Sequence, residues 1–419
     1  MIRRGLLLYS PILVLTISWI IIFSLYFLNP FHLAWIRNYT WLVLITGISM
    51  IYLGFFTAKS MGEQFTVYEQ VKVSENFPFS VEQIKWLVLI LTIISLIGVL
   101  GRTYLVVKQL NGFEDFLTNP RFVRRFLMET EAGDSPVNKS LFKIFSYMGS
   151  LNTITVIMAG AISTLKVKKI RIITILPVFV AALHSLAGLE RVYFIKHYVI
   201  WIACAFLFIY YIPSAEQKEA IKILFKKILY FIIFSAFFIL FVIILRQLLV
   251  PGSKFEGIIH GLYIYTAGNI FLLDRYLISD PTYLYGLSIL RSFVKWFVAF
   301  GLMEKTSIIA PHYDFYRIID SLGNTFTYLR ILYEDYGIYG VIILSYFWGW
   351  FAYYIVAKFL HKFSFFRLGL ASMVIYSFLW SFYGFAWTHL TAYILFQFQL
   401  YIVDKIFLKD NQEQNYVSS

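Results

Sequence analysis

The sequence predicts an all-α integral membrane protein of about ten transmembrane helices, with twelve as the alternative, carrying one long extracytoplasmic loop. Three observations lead to it. Of 419 residues, 60% are hydrophobic and only 14% charged, whereas a soluble domain carries charge on roughly a quarter of its residues. Apolar stretches of crossing length recur along the chain, and at about 20 residues each, ten of them consume roughly 200 residues. Backbone amides in hydrocarbon have no water to bond, so such stretches must be helices. A soluble enzyme is excluded.

The stretches fall at about 6–28, 39–57, 86–107, 144–165, 172–189, 198–213, 228–250, 338–360, 368–387 and 390–407. The first follows Ile2-Arg3-Arg4, is too long for a signal peptide and has no small-residue cleavage site behind it, so it reads as an uncleaved signal anchor. About seven helices form a first bundle over 1–250, with an amphipathic outer loop at 108–143. Residues 251–337 form the long outer loop, 338–410 the last three helices and 411–419 a polar cytoplasmic tail. With both termini cytoplasmic, Arg3, Arg4, Lys59, Lys72, Lys85, the cluster from Lys166 to Arg171, Lys218, Lys222, Lys226, Lys227, Lys358, Lys362, Arg367, Lys405 and Lys409 lie inside. The short outer loops then hold only Arg37, Arg191 and Lys196, as the positive-inside rule requires. Twelve crossings would add 258–273 and 283–303. Arg291 and Lys295, four apart in the latter, would each cost about 2.5–3.5 kcal/mol near the bilayer centre. Interfacial or re-entrant helices are the cheaper reading.

The 36 Lys plus Arg against 23 Asp plus Glu leave a net charge of +13, which suits anionic phospholipid or a phosphate-bearing lipid substrate. Nucleic acid is disfavoured because the basic residues are scattered among apolar spans. Cys204 is the single cysteine, so an internal disulfide and a Cys-based zinc site are excluded. Nucleotide-binding, zincin and serine-hydrolase motifs are missing, and no histidine pair has ligand spacing with an acidic partner, so neither cofactor nor metal is expected. A transporter usually betrays matching halves; here no internal repeat is visible.

Candidate chemistry gathers on the expected outer side. Arg102, Arg191 and Arg246 fall near the outer ends of their helices, where each guanidinium either snorkels to lipid phosphate or shares an anionic ligand. In TNPRFVRRFLMET, Asn119 can cap a helix beginning at Pro120. Arg121, Arg124 and Arg125 share its polar face, as a surface anchor or as a gate over a lipid diphosphate. Arg275 adds a cation in the long loop. His312 in APHYDFYR and the acids Asp314, Asp320 and Asp335 are possible general bases, or solvated loop charges. The most specific stretch is GNTFTYLRILYEDYGIYGVIILSYFWG, Gly323 to Gly349. Asn324, Thr325 and Thr327 precede a helix and are expected to face the outer aqueous side. Asp335 stands before Gly337 and Gly340, which suit close backbone packing where a chain enters the bilayer.

The Asn-x-x-Thr pattern, followed by Tyr-Gly-x-x-Gly stepping into a membrane helix, resembles the Wzy-type oligosaccharide repeat-unit polymerases of O-antigen, capsule and exopolysaccharide pathways. The layout, with a basic residue in a short mid-chain outer loop and a long outer loop before the last three helices, is similar over nearly the whole chain. The motif-level likeness covers the 27 residues from Gly323 to Gly349 and the Arg191 region, where Glu190 departs from the small or polar residue expected. The resemblance implies a GT-C-like polymerase or ligase architecture in a bacterial cytoplasmic membrane. It also implies glycosyl transfer between undecaprenyl-diphosphate-linked oligosaccharides, with Arg191 on the diphosphate and Asn324, Thr327 and Asp335 closing the long loop. A chain-length regulator and a flippase are implied partners. O-antigen ligases resemble the same family but carry a His at the loop motif, which is not found around Asn324. A lipid-glycan flippase is the other rival.

Overall fold

The computed structural model describes residues 4–31, 35–65, 79–110, 112, 139–165, 170–188, 191–249, 263, 266–279, 283–286, 288–290, 294, 297, 302, 316–318, 321–323, 327–382 and 390–408. Some of these are described by backbone alone, among them Arg191 and 238–249. The elements run α1 (Arg4–Leu8), α2 (Ser10–Leu28), α3 (Asn38–Phe65), α4 (Val81–Gln109), α5 (Lys139–Ser150), α6 (Asn152–Ile162), α7 (Ile170–Ile173), α8 (Leu176–Gly188), α9 (Arg191–Phe208), α10 (Ser214–Leu249), α11 (Gly268–Ile278), β1 (Tyr316–Ile318), β2 (Ser321–Gly323), α12 (Tyr328–His361), α13 (Phe365–Leu379) and α14 (Leu390–Phe407).

Helix occupies most of the described residues in each of the ten apolar stretches, though 380–382 of the ninth are a turn and 383–387 lie outside the described residues. Among the described residues six helices are long and apolar enough to cross a membrane. Their outer surfaces are aliphatic and aromatic, as at Ile17, Ile20, Ile45, Ile90, Phe347 and Phe351, which water would not tolerate and lipid does. Of the stretch at 258–273, residues 258–262 and 264–265 lie outside the described residues. The described helix there, α11, has 11 residues, about 16 Å of rise, and is buried along most of its length against α3 and α12. The all-α expectation is also qualified. Tyr316–Ile318 and Ser321–Gly323 pair antiparallel, Ile318 facing Ser321, in a stretch where Tyr and Ile favour extended backbone.

Two apolar cores meet at α13. One joins α4, α6, α8, α9 and α14 around Ile157, Trp201, Cys204, Phe208 and Leu400, and takes Phe365 and Leu368 from α13. The other joins α2, α3, α11 and α12 around Trp19, Tyr26, Phe55, Leu273 and Trp348, and takes Val374 and Phe378. Helix breaks are satisfied internally, as lipid demands. Asn152 Nδ2, just past the α5–α6 break, donates to Pro177 O at 3.0 Å, and Trp201 Nε1 donates to Thr174 O at the α7–α8 break, also at 3.0 Å. The α13 N-terminus, capped locally by Ser364, receives Asp404 from α14: Phe365 N and Phe366 N donate to its carboxylate at 2.7 and 2.9 Å.

The closest helix pair is α3 with α12, which run parallel. A methyl group at Gly54 would overlap Tyr346 O, and one at Gly349 would overlap Ile51 O. Hydrocarbon supplies no hydrophobic force between helices, so such close backbone approach, with the dispersion contacts it allows, holds them together. Gly349→Val should cost about 1–3 kcal/mol through overpacking. It should lower the unfolding temperature of detergent-solubilised protein, while Gly5→Ala, with open space around it, leaves it unchanged.

Candidate functional site

The sequence places a single helix entry at Asp335–Gly340, and the structure instead turns the chain back on itself there. Tyr336 and Gly337 leave helical geometry, Gly337 with φ 59° and ψ −146°, a region open essentially to glycine alone. Residues 328–335 therefore form a short limb lying antiparallel to the long limb 338–361. Gly340 packs against Leu332 O, and the Tyr328 and Trp348 rings meet at 4.9 Å. Twenty residues of straight helix would separate those rings by about 30 Å. Leu329 and Val341, one from each limb, both pack on Gly47 of α3.

The consequence for the motif is a change of depth. Thr327, expected to face water, is 1% exposed at the buried foot of the short limb, and its hydroxyl has no hydrogen-bond partner among the described residues. Tyr328 N donates to Ser381 O at 2.8 Å, tying that foot to the trailing end of α13. Arg330, in the first turn, lies over the Tyr276 ring at 4.5 Å and 3.9 Å from Glu334. Tyr333 meets Tyr39 hydroxyl to hydroxyl at 2.9 Å, bracing the limb against α3.

Asp335 stands at the top of the limb, fully buried. Ser288 N and Ile289 N donate to its two carboxylate oxygens at 2.9 and 3.0 Å, and Ser288 Oγ donates to Glu334 Oε2 at 2.8 Å. In return Leu284 N and Tyr285 N donate to the carbonyls of Glu334 and Asp335 at 2.9 and 3.0 Å, carbonyls the broken helix has left unpaired. Residue 290 then bonds back to Gly286 O as a helical turn begins. Asp335 thus caps a neighbouring turn, a charge-assisted arrangement favoured by the helix dipole. Both of its oxygens are engaged, which makes it a positioning group. A second carboxylate works the same way: Asp274 receives Arg37 N at 3.1 Å and Arg37 Nε at 3.3 Å together with Thr40 Oγ1, at the start of α3.

Of the other expected site residues, Arg191 is the first residue of α9 and Arg246 lies near the end of α10, both by backbone alone. Arg275 is exposed on α11. Arg102 donates to His184 Nε2 at 3.3 Å and lies over the Phe142 ring. His312, Asp314, Asp320, Asn324, Thr325, Arg121, Arg124 and Arg125 lie outside the described residues, Asp320 falling between β1 and β2 in sequence. Missed by sequence reasoning were Arg37 with Asp274, the Arg330–Tyr276 contact and the Tyr39–Tyr333 pair. A carboxylate in an apolar helix such as GNIFLLDRYLI was the available signal, since it must have a partner. Among the described residues, no three His, Cys, Asp or Glu side chains gather as a metal site.

Two outcomes follow from this geometry. In a Cys204→Ser background, Tyr328→Cys with Trp348→Cys should be joined by a short bismaleimide within one chain, and a straight α12 would give no such product. Asp335→Leu should leave two buried N–H groups unpaired at about 1–3 kcal/mol each; limited proteolysis should then cut at 283–290 faster than in wild type. Set against family models, curated proteins and solved structures, the chain matches none of them.

Proposed function

We propose that this protein is a polyprenyl-diphosphate-dependent glycosyltransferase. In this reading it crosses the bacterial cytoplasmic membrane ten times in a GT-C-like arrangement, with both termini inside. It lengthens lipid-linked oligosaccharides on the outer face, using a second lipid-linked repeat unit as acceptor. The observation that carries the reading is the Asn324–Gly340 segment: a polar Asn-x-x-Thr run followed by a clasped, glycine-turned re-entrant limb. Irregular backbone at membrane depth is tolerated where it is buried in protein or lines a cavity. Apolar helices around it, and basic residues at the opposite helix ends such as Lys59, Lys358, Arg367 and Lys405, support the orientation.

The chemistry asks little of a cofactor. An acceptor hydroxyl attacks the anomeric carbon of the donor, the bond to the diphosphate oxygen breaks, and the diphosphate leaves as an anion while the hydroxyl proton passes to a base. Arg191, with Arg246 or Arg275, would hold the departing diphosphate, since guanidinium forks match its oxygens and stay charged. His312 or Asp320 would take the proton. Asp335 would hold the re-entrant limb in place instead of serving as the base, with Thr327 packed at the limb's buried foot, and Asn324 would contact substrate. Arg121, Arg124 and Arg125 would lie on the lipid surface beside the site.

Purified protein in liposomes, given a lipid-diphosphate repeat unit, should yield a ladder of glycan lengths. Arg191→Ala should abolish the ladder with the protein still in the membrane. Unaltered substrate with wild-type protein would refute the polymerase reading, and transfer to a different lipid without lengthening would mark a ligase.

A further inference from the structure

Helix α9 changes character along its length. From Ile200 onward it packs Cys204, Leu207 and Phe208 into an apolar core. Its first two turns instead carry Tyr193 and His197, and both meet polar or aromatic side chains of other helices. His184 of α8 stacks on Tyr193 with ring centroids 3.9 Å apart, and Tyr193 meets His197 at 4.0 Å. His197 Nδ1–H donates to Tyr193 O at 2.7 Å, so its Nε2 accepts from the Thr153 hydroxyl of α6 at 2.9 Å. A guanidinium can only donate, so His184 Nε2 accepts from Arg102 of α4 at 3.3 Å. One residue further along α8, Ser185 Oγ accepts from Phe194 N at 2.8 Å.

Three helices therefore converge on the start of α9: α8 directly, α6 through Thr153 and α4 through His184. Apolar side chains would fill this seam at lower cost, since a buried imidazole gives up its hydration and His184 Nδ1 finds no partner among the described residues. What the polar groups add is direction. Apolar packing is non-directional, whereas a hydrogen bond weakens steeply as its angle closes. The column of rings and its hydrogen bonds thus set the height and rotation of α9. The connection from Gly188 to Arg191 is residues 189–190 alone, so the start of α9 is also tied closely to the end of α8.

We propose that His184, Ser185, Tyr193 and His197 are positioning residues for Arg191, the first residue of α9. The inference rests on the reading of Arg191 as the group that holds the departing diphosphate, and it adds the device that keeps Arg191 in register. These residues act through the placement of α9 instead of touching substrate. A misplacement of about 1 Å at a group that stabilises a transition state costs on the order of 10²-fold in rate, so the column governs turnover more than substrate binding.

The test reads the place of residue 191 and the turnover separately, in full-length protein. In a Cys204→Ser background Arg191→Cys supplies the only thiol, and its rate of modification by a membrane-impermeant thiosulfonate reports how the start of α9 is presented. His184→Leu removes both the ring stack and the acceptor of Arg102, and should change that rate at least about threefold, whereas His184→Gln, whose Oε1 can replace Nε2 as acceptor, should stay within about 1.5-fold. Thr153→Val removes only the hydroxyl that meets His197; it should move the rate in the same way and serves where His184→Leu does not fold. A thiol placed instead at Tyr339, exposed beside the Gly337 turn, should react equally in every background. With Arg191 restored, His184→Leu and Thr153→Val should lower kcat at least about tenfold with KM within about threefold, and His184→Gln should recover kcat. An unchanged rate at residue 191 in both variants, an equal change at residue 339, or a loss confined to KM overturns the proposal. A shifted rate at residue 191 with no glycan ladder from wild type leaves the positioning of α9 standing and removes the polymerase reading; a ladder with wild-type kcat in both variants does the reverse.

Discussion

A helix start leaves backbone N–H groups without intrahelical partners, and much of this bundle is organised by how those groups are met. Three aspartates do it from a distance in sequence. Asp274 holds the start of α3, Asp335 the turn beginning near Gly286, and Asp404 the start of α13. Each acid sits on one element and receives backbone donors of another, so each bond that satisfies a helix end also fixes where two segments stand relative to one another. The negative charge is favoured by the positive end of the helix it meets. A membrane protein that stabilises carboxylates in this way needs no cation beside each one, as Asp335 and its two amide donors illustrate.

The glycine contacts supply the complementary half of the architecture. Where α3 and α12 touch at Gly47, Gly54 and Gly349, backbone meets backbone or side chain at close range. The re-entrant limb then fills the space beside the pair, with Tyr328 and Leu329 against the α3 face that Val341 also touches. Close helices, a filled flank and capped ends make an interior in which Thr327 and Arg330 are buried, Arg330 beside Tyr276 and Glu334.

How much of this was legible in the sequence differs by scale. The described parts of the apolar stretches are largely helical, because length and hydropathy are properties of each segment alone. The turn at Gly337 was half legible: the glycines were recognised as sites of close packing, but Tyr-Leu-Arg-Ile-Leu-Tyr-Glu-Asp reads equally as the first turns of one long helix. Nothing local distinguishes a straight continuation from a reversal when the deciding contacts, Tyr328 with Trp348 and Leu284 with Glu334, join residues far apart along the chain. Depth went astray for the same reason, and Thr327 moved from an expected lip to a buried foot. The His184–Tyr193–His197 column was visible only as an i, i+4 pair on α9; its third ring comes from another helix.

The short limb has a consequence for biogenesis. Eight residues containing Arg330, Glu334 and Asp335 are too few and too polar to partition from the translocon on their own, where Arg or Asp costs about 2.5–3.5 kcal/mol at a helix centre. The limb can be admitted only after α3, α11 and the long limb of α12 have assembled a lining for it. Its docking is therefore a late step of maturation, and a chain arrested before that step would already be fully threaded through the bilayer.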